Sequence, residues 1–303
     1  MTPENRHRLA IALLFVAPAL WTINYLVARS ATDVIAPHAL ALGRWLIAFG
    51  VMFAISWRSI VLHRRELWAQ RWRYLALGAL GMWICGAFVY IGGRTSPALN
   101  ISLIYSITPV LIALASIAMF REKMSSGQIA GAVLALAGAL LIVLKGHPET
   151  LFKLSFTVGD LWIASAALSW TVYSLLLRQW PSSLDSFARL TVITGFGVIV
   201  LLPLTIVEAA TCGAAAWCQT AISPFSVFLT VAAALAPGIG AYSAYSYMQA
   251  QLGAARTSLV QYLGPPYAAL AGWLVLGEGL YGYHWAGAAM ILPGIYLATK
   301  RTT

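Results

Sequence analysis

Charge is what this sequence has least of. Only 9% of its 303 residues are Asp, Glu, Lys or Arg, where soluble domains carry roughly 25%. That is too little to wet the surface of a folded globule this long. Acid is scarcer than base, nine carboxylates against nineteen Lys and Arg. Glu4, Asp33, Glu66, Glu122, Glu149, Asp160, Asp185, Glu208 and Glu278 all fall at or near the ends of apolar runs. Ion-driven carriers commonly keep an ionisable group deep in the membrane, so this placement argues against a carboxylate relay and against a fixed site for a cationic substrate. The three cysteines exclude a disulfide-built scaffold: Cys85 lies inside an apolar run, and only Cys212 and Cys218, flanking one loop, could bridge. No histidine pair among His7, His38, His63, His147 and His284 has metal-ligand spacing, so neither a metal nor a cofactor is expected.

What remains is 60% hydrophobic. Apolar runs of about 20 residues read as membrane-spanning helices, at about 9–28, 36–56, 72–92, 98–119, 127–145, 158–178, 186–207, 225–247, 254–276 and 282–299. The first, starting at Leu9 behind Arg6 and Arg8, lacks a small-residue cleavage site and reads as a retained helix rather than a signal peptide. The longest polar stretch, Trp57 to Arg71, leaves no room for a separate soluble domain. The net charge of +10 is dispersed in small groups between spans, which speaks against nucleic acid. With the N-terminus inside, Arg6, Arg8, Arg58, Arg64, Arg65, Arg71, Arg73, Arg121, Lys123, Arg178, Arg189, Arg256, Lys300 and Arg301 face the cytoplasm. Arg29, Arg94, Lys145 and Lys153 face outward. The cytoplasmic excess follows the positive-inside rule and predicts both termini in the cytoplasm, for a multi-pass protein of a bacterial-type inner membrane.

The chain also repeats itself. A shift of 156 residues brings Ser102 onto Ser258, Pro109 onto Pro265, Glu122 onto Glu278, Gly131 onto Gly287 and Gly138 onto Gly294. A shift of 149 brings Trp21-Thr22 and Arg29 onto Trp170-Thr171 and Arg178. The expected fold is therefore all-α, ten transmembrane helices in two five-helix halves, residues 1–149 and 150–303. An odd number of spans turns the second half upside down, the inverted-repeat plan of many secondary transporters.

The segment Ala98-Leu99-Asn100-Ile101-Ser102, Thr108-Pro109, Phe120-Arg121-Glu122-Lys123, Gly127, Gly131 and Gly138 resembles the second part of an EamA-type repeat of the drug/metabolite transporter superfamily. Ala254, Ser258, Pro265, Glu278, Gly287 and Gly294 echo it. The resemblance implies a ten-helix carrier, and carriers of this family often export amino acids, related metabolites or toxic compounds. The abundance of Trp and Tyr is similar to that of the YddG-type aromatic amino-acid exporters within it. One departure is Pro265-Pro266 where the first half has only Pro109, which predicts a sharper bend in span nine.

Candidate substrate-binding residues are the aromatic and polar side chains within spans. They are Trp21, Asn24 and Tyr25 in span one; Trp83 and Tyr90 in span three; Asn100, Ser102 and Tyr105 in span four; Trp170 and Tyr173 in span six; Tyr242 and Tyr245 in span eight; and Ser258, Gln261 and Tyr262 in span nine. Residues three, four or seven apart share a helix face, and a cavity walled by aromatics with a few hydrogen-bonding groups suits a flat, partly apolar ligand. Trp57, Trp68, Trp72, Trp180, Trp217 and Tyr281 fit an interfacial belt instead. Arg44, about two turns into span two, either snorkels to the outer interface or meets a substrate carboxylate. Pro109, Pro203, Pro237-Gly238-Ile239-Gly240 and Gly264-Pro265-Pro266 mark bends. Gly127, Gly131, Gly138, Gly287 and Gly294 mark close helix packing. A membrane enzyme would need converging catalytic groups that the spans lack, a sensor would need an output domain, and a phosphorylated-sugar exchanger would need several intramembrane cations. A facilitative carrier of neutral or zwitterionic metabolites is the expected function.

Overall fold

The computed structural model describes residues 3–32, 34–121, 124–211 and 220–299. The candidate pair Cys212 and Cys218, Asp33, Glu122, Lys123, Trp217, Lys300 and Arg301 lie outside them, as do the side chains of Tyr25 and Arg29. Every regular element among the described residues is helical, which is what lipid demands of a chain that must satisfy its backbone internally. We number the principal helices α1 (Pro3–Ser30), α2 (Pro37–Leu62), α3 (Arg71–Gly92), α4 (Ala98–Phe120), α5 (Ser126–Val143), α6 (Val158–Gln179), α7 (Ser186–Thr211), α8 (Pro224–Leu252), α9 (254–276) and α10 (Gly282–Thr299). The first eight are long and apolar enough to span a bilayer. Of the other two, α9 is interrupted by a 3-10 segment at Leu259–Leu263, and α10 opens on the polar turn Gly282-Tyr283-His284.

The packing has a twofold pattern. Helix α1 lies against α8 as α6 lies against α3, while α2 pairs with α7 and α5 with α10, each with its own counterpart. The α5–α10 crossing brings two backbones into contact. A methyl group on Gly131 would stand 2.5 Å from the Gly294 carbonyl oxygen, and one on Gly138 would stand 2.6 Å from that of Gly287. Gly294 meets Gly131, and Gly287 meets Gly138, at 2.7 Å in return. Since Gly131 corresponds to Gly287 and Gly138 to Gly294 in the repeat, each glycine touches the counterpart of its neighbour. Only an antiparallel crossing about a local twofold axis gives that exchange. Small residues there let the backbones approach without side chains between them.

Both third helices of the repeat widen into π-helix, at Ala79–Ile84 in α3 and Ala234–Ala241 in α8. The 156-residue shift carries 79–84 onto 235–240, inside the second stretch. A π turn loosens the regular hydrogen-bond ladder and leaves carbonyls open to other donors. In α3 three consecutive carbonyls are taken by three different helices. Ser169 Oγ donates to Leu80 at 2.9 Å, Tyr242 Oη to Gly81 at 3.0 Å, and Trp45 Nε1 to Met82 at 3.2 Å.

Two polar junctions fix helix ends. Asp160, in the first turn of α6, is buried and accepts from Ser96 Oγ, from Asn100 Nδ2 at 2.9 Å and from the Thr157 amide at 2.7 Å. Glu208 of α7 receives the His38 amide at 3.0 Å and lies 2.8 Å from its Nδ1, locking α2 to α7. The double proline does not bend a continuous helix. Pro265 and Pro266 instead sit in the first turn of the helical segment Gly264–Leu276, where missing amide protons cost nothing, and the break falls at the 3-10 turn just before.

Candidate substrate site

Tryptophans Trp21 of α1 and Trp170 of α6 meet at the centre of the bundle, ring centroids 5.7 Å apart and nearly perpendicular. They are counterparts under the 149-residue shift, and a residue touches its own counterpart only beside the axis relating the halves. Around them close Tyr173, 5.4 Å from Trp170, and Tyr242 and Tyr245 of α8, at 5.4 and 4.8 Å from it. Trp45 of α2 reaches Tyr242 at 4.9 Å. Edge-to-face and tilted contacts of this kind add about 0.5–1.5 kcal/mol per pair beyond the area they bury. Yet the cluster is not polar-satisfied. Trp170 Nε1 and Tyr173 Oη are both buried without a hydrogen-bond partner, each an unmet group costing about 1–3 kcal/mol.

Beside this cluster lies the guanidinium of Arg44. The side chain does not snorkel. Arg44 is buried, its Nη1 donating to Asn24 Oδ1 at 3.0 Å and to Tyr90 Oη at 2.9 Å, while Tyr90 Oη donates to Asn24 Oδ1 at 2.8 Å. The charge lies over the rings of Trp45 and Tyr90, 4.7 and 5.4 Å from their centroids. Asn24 and Tyr90 offer the guanidinium oxygens inside the bundle, and the side chain stays with them.

The remaining expected residues separate into groups. Tyr105 of α4 lies within hydrogen-bonding reach of Cys85, as does Tyr242, so this residue borders the cluster. Ser102 is half-buried on α4. On α9, Ser258 Oγ donates to the Ala255 carbonyl at 2.8 Å and to that of Pro109 at 3.3 Å, tying α9 to α4. Tyr262 is buried nearby, and Gln261 Nε2 is buried with no partner. Two expected residues stand apart. Asn100 spends its amide on Asp160 and on the Ser155 carbonyl, both at 2.9 Å, which makes it part of the α6 junction. Trp83 donates to His38 Nε2 at 3.3 Å and packs on Phe88; it does not share the partners of Tyr90.

A cavity of about 260 Å³ opens at the end of the bundle where α6 and α8 finish and α7 begins. Arg178, Arg189, Ser246 and Gln249 are among its walls. Gln249 Nε2 donates to the Ser174 carbonyl at 2.8 Å, and Ser174 Oγ lies 2.9 Å from Tyr245 Oη. This polar chain leads from the cavity floor to the aromatic cluster. Ser174, Arg189 and Gln249 were not among the expected site residues; Gln249 falls just past the end of span eight as read from sequence. Among the described residues no group of three His, Cys, Asp or Glu could hold a metal ion.

The profile of the EamA-like transporter family matches residues 8–144 and again 157–300, nearly the whole chain in two copies. The chain belongs to the EamA-like transporter family. It is therefore a multi-pass membrane protein with the transporter architecture of that family. Among curated relatives it is 24% identical over 268 residues to the uncharacterized transporter YyaM of Bacillus subtilis, covering 87% of this chain and 84% of that one. It is 23% identical to the S-adenosylmethionine/S-adenosylhomocysteine transporter of Chlamydia trachomatis serovar L2, over 89% and 83%. It is 26% identical to a probable terminal-alkyne amino-acid exporter of Streptantibioticus cattleyicolor, over 97% and 94%. A solved crystal structure shares its fold with a TM-score of 0.72 at 21% identity, across 96% of this chain and 97% of the other.

Proposed function

We propose that this transporter exports small zwitterionic metabolites, amino acids with aromatic side chains foremost, by alternating access, without a catalytic step and without a coupling ion. The observation that carries the reading is the contact of Trp21 with its counterpart Trp170 inside a cluster closed by Tyr173, Tyr242 and Tyr245. In an inverted repeat the axis lies in the membrane plane, so residues beside it stand near the midplane, where such carriers bind substrate. The unpartnered indole N–H and phenol of Trp170 and Tyr173 are then groups for a ligand to meet, and the rings supply its apolar walls. Two relatives with named substrates support the class: one is called an amino-acid exporter, and S-adenosylmethionine carries an amino-acid head.

The excess of Lys and Arg at one end supports an inner-membrane orientation with both termini in the cytoplasm. The cavity beside Arg178 and Arg189 is then the inward-facing vestibule, and the aromatic cluster with its polar chain to Gln249 is the closed route beyond it. Counterflow into proteoliposomes containing only this protein tests the reading. Labelled phenylalanine or tryptophan should accumulate without an ion gradient, and threonine or a phosphorylated sugar should accumulate less. Failure of every amino acid to exchange, in protein shown to be folded, overturns it.

A further inference from the structure

Arg44 is 3% exposed, yet among the described residues no carboxylate pairs with its guanidinium. Ion pairs elsewhere join Glu4 to Arg8, Glu208 to His38 and Glu149 to His147, and buried Asp160 is engaged by Ser96, Asn100 and Thr157. A buried cation with neutral partners alone carries a desolvation cost of several kcal/mol, and within a membrane such a residue marks a substrate or ion path. The pattern of its bonds is uneven. Both protons of Nη1 are occupied, by Asn24 and Tyr90. The Nε proton, buried, has no partner. On the Nη2 side the neighbour is Gly86, where a methyl group would come within 3.2 Å of Nη2. The unoccupied Nε–Nη2 edge is the two-donor fork that grips a carboxylate by parallel hydrogen bonds, and glycine at position 86 keeps a side chain off it.

We propose that Arg44 is the anchor for a substrate carboxylate, held through the Nε–Nη2 edge while the ring of the ligand lies among the central aromatics. This rests on the proposed transport of amino acids and adds the group that selects them. Asn24 and Tyr90 hold the guanidinium in place, and their oxygens balance part of its charge until the anion arrives. Trp45, which lies under the guanidinium and against Tyr242, links the anchor to the aromatic cluster. An amine lacking the carboxylate gains nothing at this edge and meets a like charge there. The expected substrate is an aromatic zwitterion or aromatic carboxylate.

The test compares three ligands with the same ring, read as the thermal stabilisation of purified, detergent-solubilised protein. Tryptophan has both charged groups, indole-3-propionate only the carboxylate, and tryptamine only the amine. The two carboxylates should bind about 10- to 100-fold more tightly than tryptamine, the range of hydrogen bonds to a charged group. Arg44→Gln should abolish that difference, and Arg44→Lys should keep part of it. Because loss of the buried charge also alters folding, Gly86→Ala serves as a second variant: its methyl group should weaken the carboxylates while leaving tryptamine unchanged. The anchor is overturned by tryptamine binding the wild type as tightly as the carboxylates, or by an unchanged preference in folded Arg44→Gln. It is equally overturned if both variants leave the carboxylates unaffected, or if chloride alone stabilises the protein and the ring compounds add nothing. Arg44-dependent binding without counterflow of any amino acid sinks the transport reading and leaves the anchor standing. Counterflow with Arg44-independent binding does the reverse.

Discussion

Removing the three side chains that hold the α3 π turn should cost stability in proportion to the bonds lost. Tyr242→Phe keeps the ring, and so the aromatic packing, but deletes the donor to the Gly81 carbonyl at 3.0 Å. Ser169→Ala deletes the donor to Leu80, and Trp45→Phe the donor to Met82. Each bond contributes about 0.5–1.5 kcal/mol net. The low end suits a carbonyl that keeps a second, looser helical partner; the high end suits one left bare in an apolar interior. Trp45→Phe should exceed the others because it also shrinks a fully buried indole. The double variant Ser169→Ala/Tyr242→Phe isolates the hydrogen bonds, with an expected loss of about 1–3 kcal/mol. The assay is thermal unfolding of purified protein in detergent, followed by tryptophan fluorescence, with counterflow measured at equal reconstituted amounts. A double variant that melts with the wild type would refute the claim that these donors hold the turn, and with it the view that α3 is clamped by three neighbouring helices.

Three further outcomes follow from the packing and the site. Trp21→Ala should change the ranking of substrates in counterflow more than the amount of inserted protein; an unchanged ranking at equal protein level would remove Trp21 from the site. Gly138→Leu should abolish folded protein on size exclusion, because even a methyl group would stand 2.6 Å from the Gly287 carbonyl and overpacking by several heavy atoms costs about 1–3 kcal/mol or more. Asn100→Ala should lower the melting temperature through loss of the Asp160 and Ser155 bonds while leaving substrate ranking intact; a shifted ranking at unchanged stability would return Asn100 to the substrate site.

Much of this architecture is legible because the membrane imposes a simple rule on sequence: about 20 apolar residues, then charge. Helix α2 shows where the rule stops, since the apolar run ends near Ser56 but the helix continues to Leu62 through Trp57 and Arg58, residues that tolerate the interface. The glycines of α5 and α10 are readable in the same way, because a recurring Gly in both halves has few uses besides close approach. The π turns are not readable. Their residues, such as Ala79-Leu80-Gly81-Met82-Trp83-Ile84, have the composition of any apolar helix, and the widening is stabilised by donors from elsewhere in the chain. The site follows the same division. The repeat pairs Trp21 with Trp170, whereas Arg44 has two readings from sequence, and the placement of Asn24 and Tyr90 removes the snorkelling one. Asn100 shows that a buried amide near a helix start serves a junction as readily as a ligand.

The His38 junction gives a last expectation that geometry alone fixes. An indole nitrogen donates and never accepts, so the 3.3 Å contact from Trp83 Nε1 requires a lone pair on His38 Nε2. The ring proton of the neutral imidazole must then sit on Nδ1, aimed at the Glu208 carboxylate 2.8 Å away. The His38 amide also donates to Glu208 at 3.0 Å, so the ring and the backbone together hold α2 to α7. Nitrogen-15 spectra of histidine-labelled protein at neutral pH should report a proton on Nδ1 of His38 and a bare, hydrogen-bonded Nε2. Glu208→Gln should weaken the preference for the Nδ1 proton, because a carboxamide oxygen accepts less strongly than a carboxylate. A neutral-pH spectrum with the proton on Nε2 would contradict the bond from Trp83 and break the chain of reasoning at its first step.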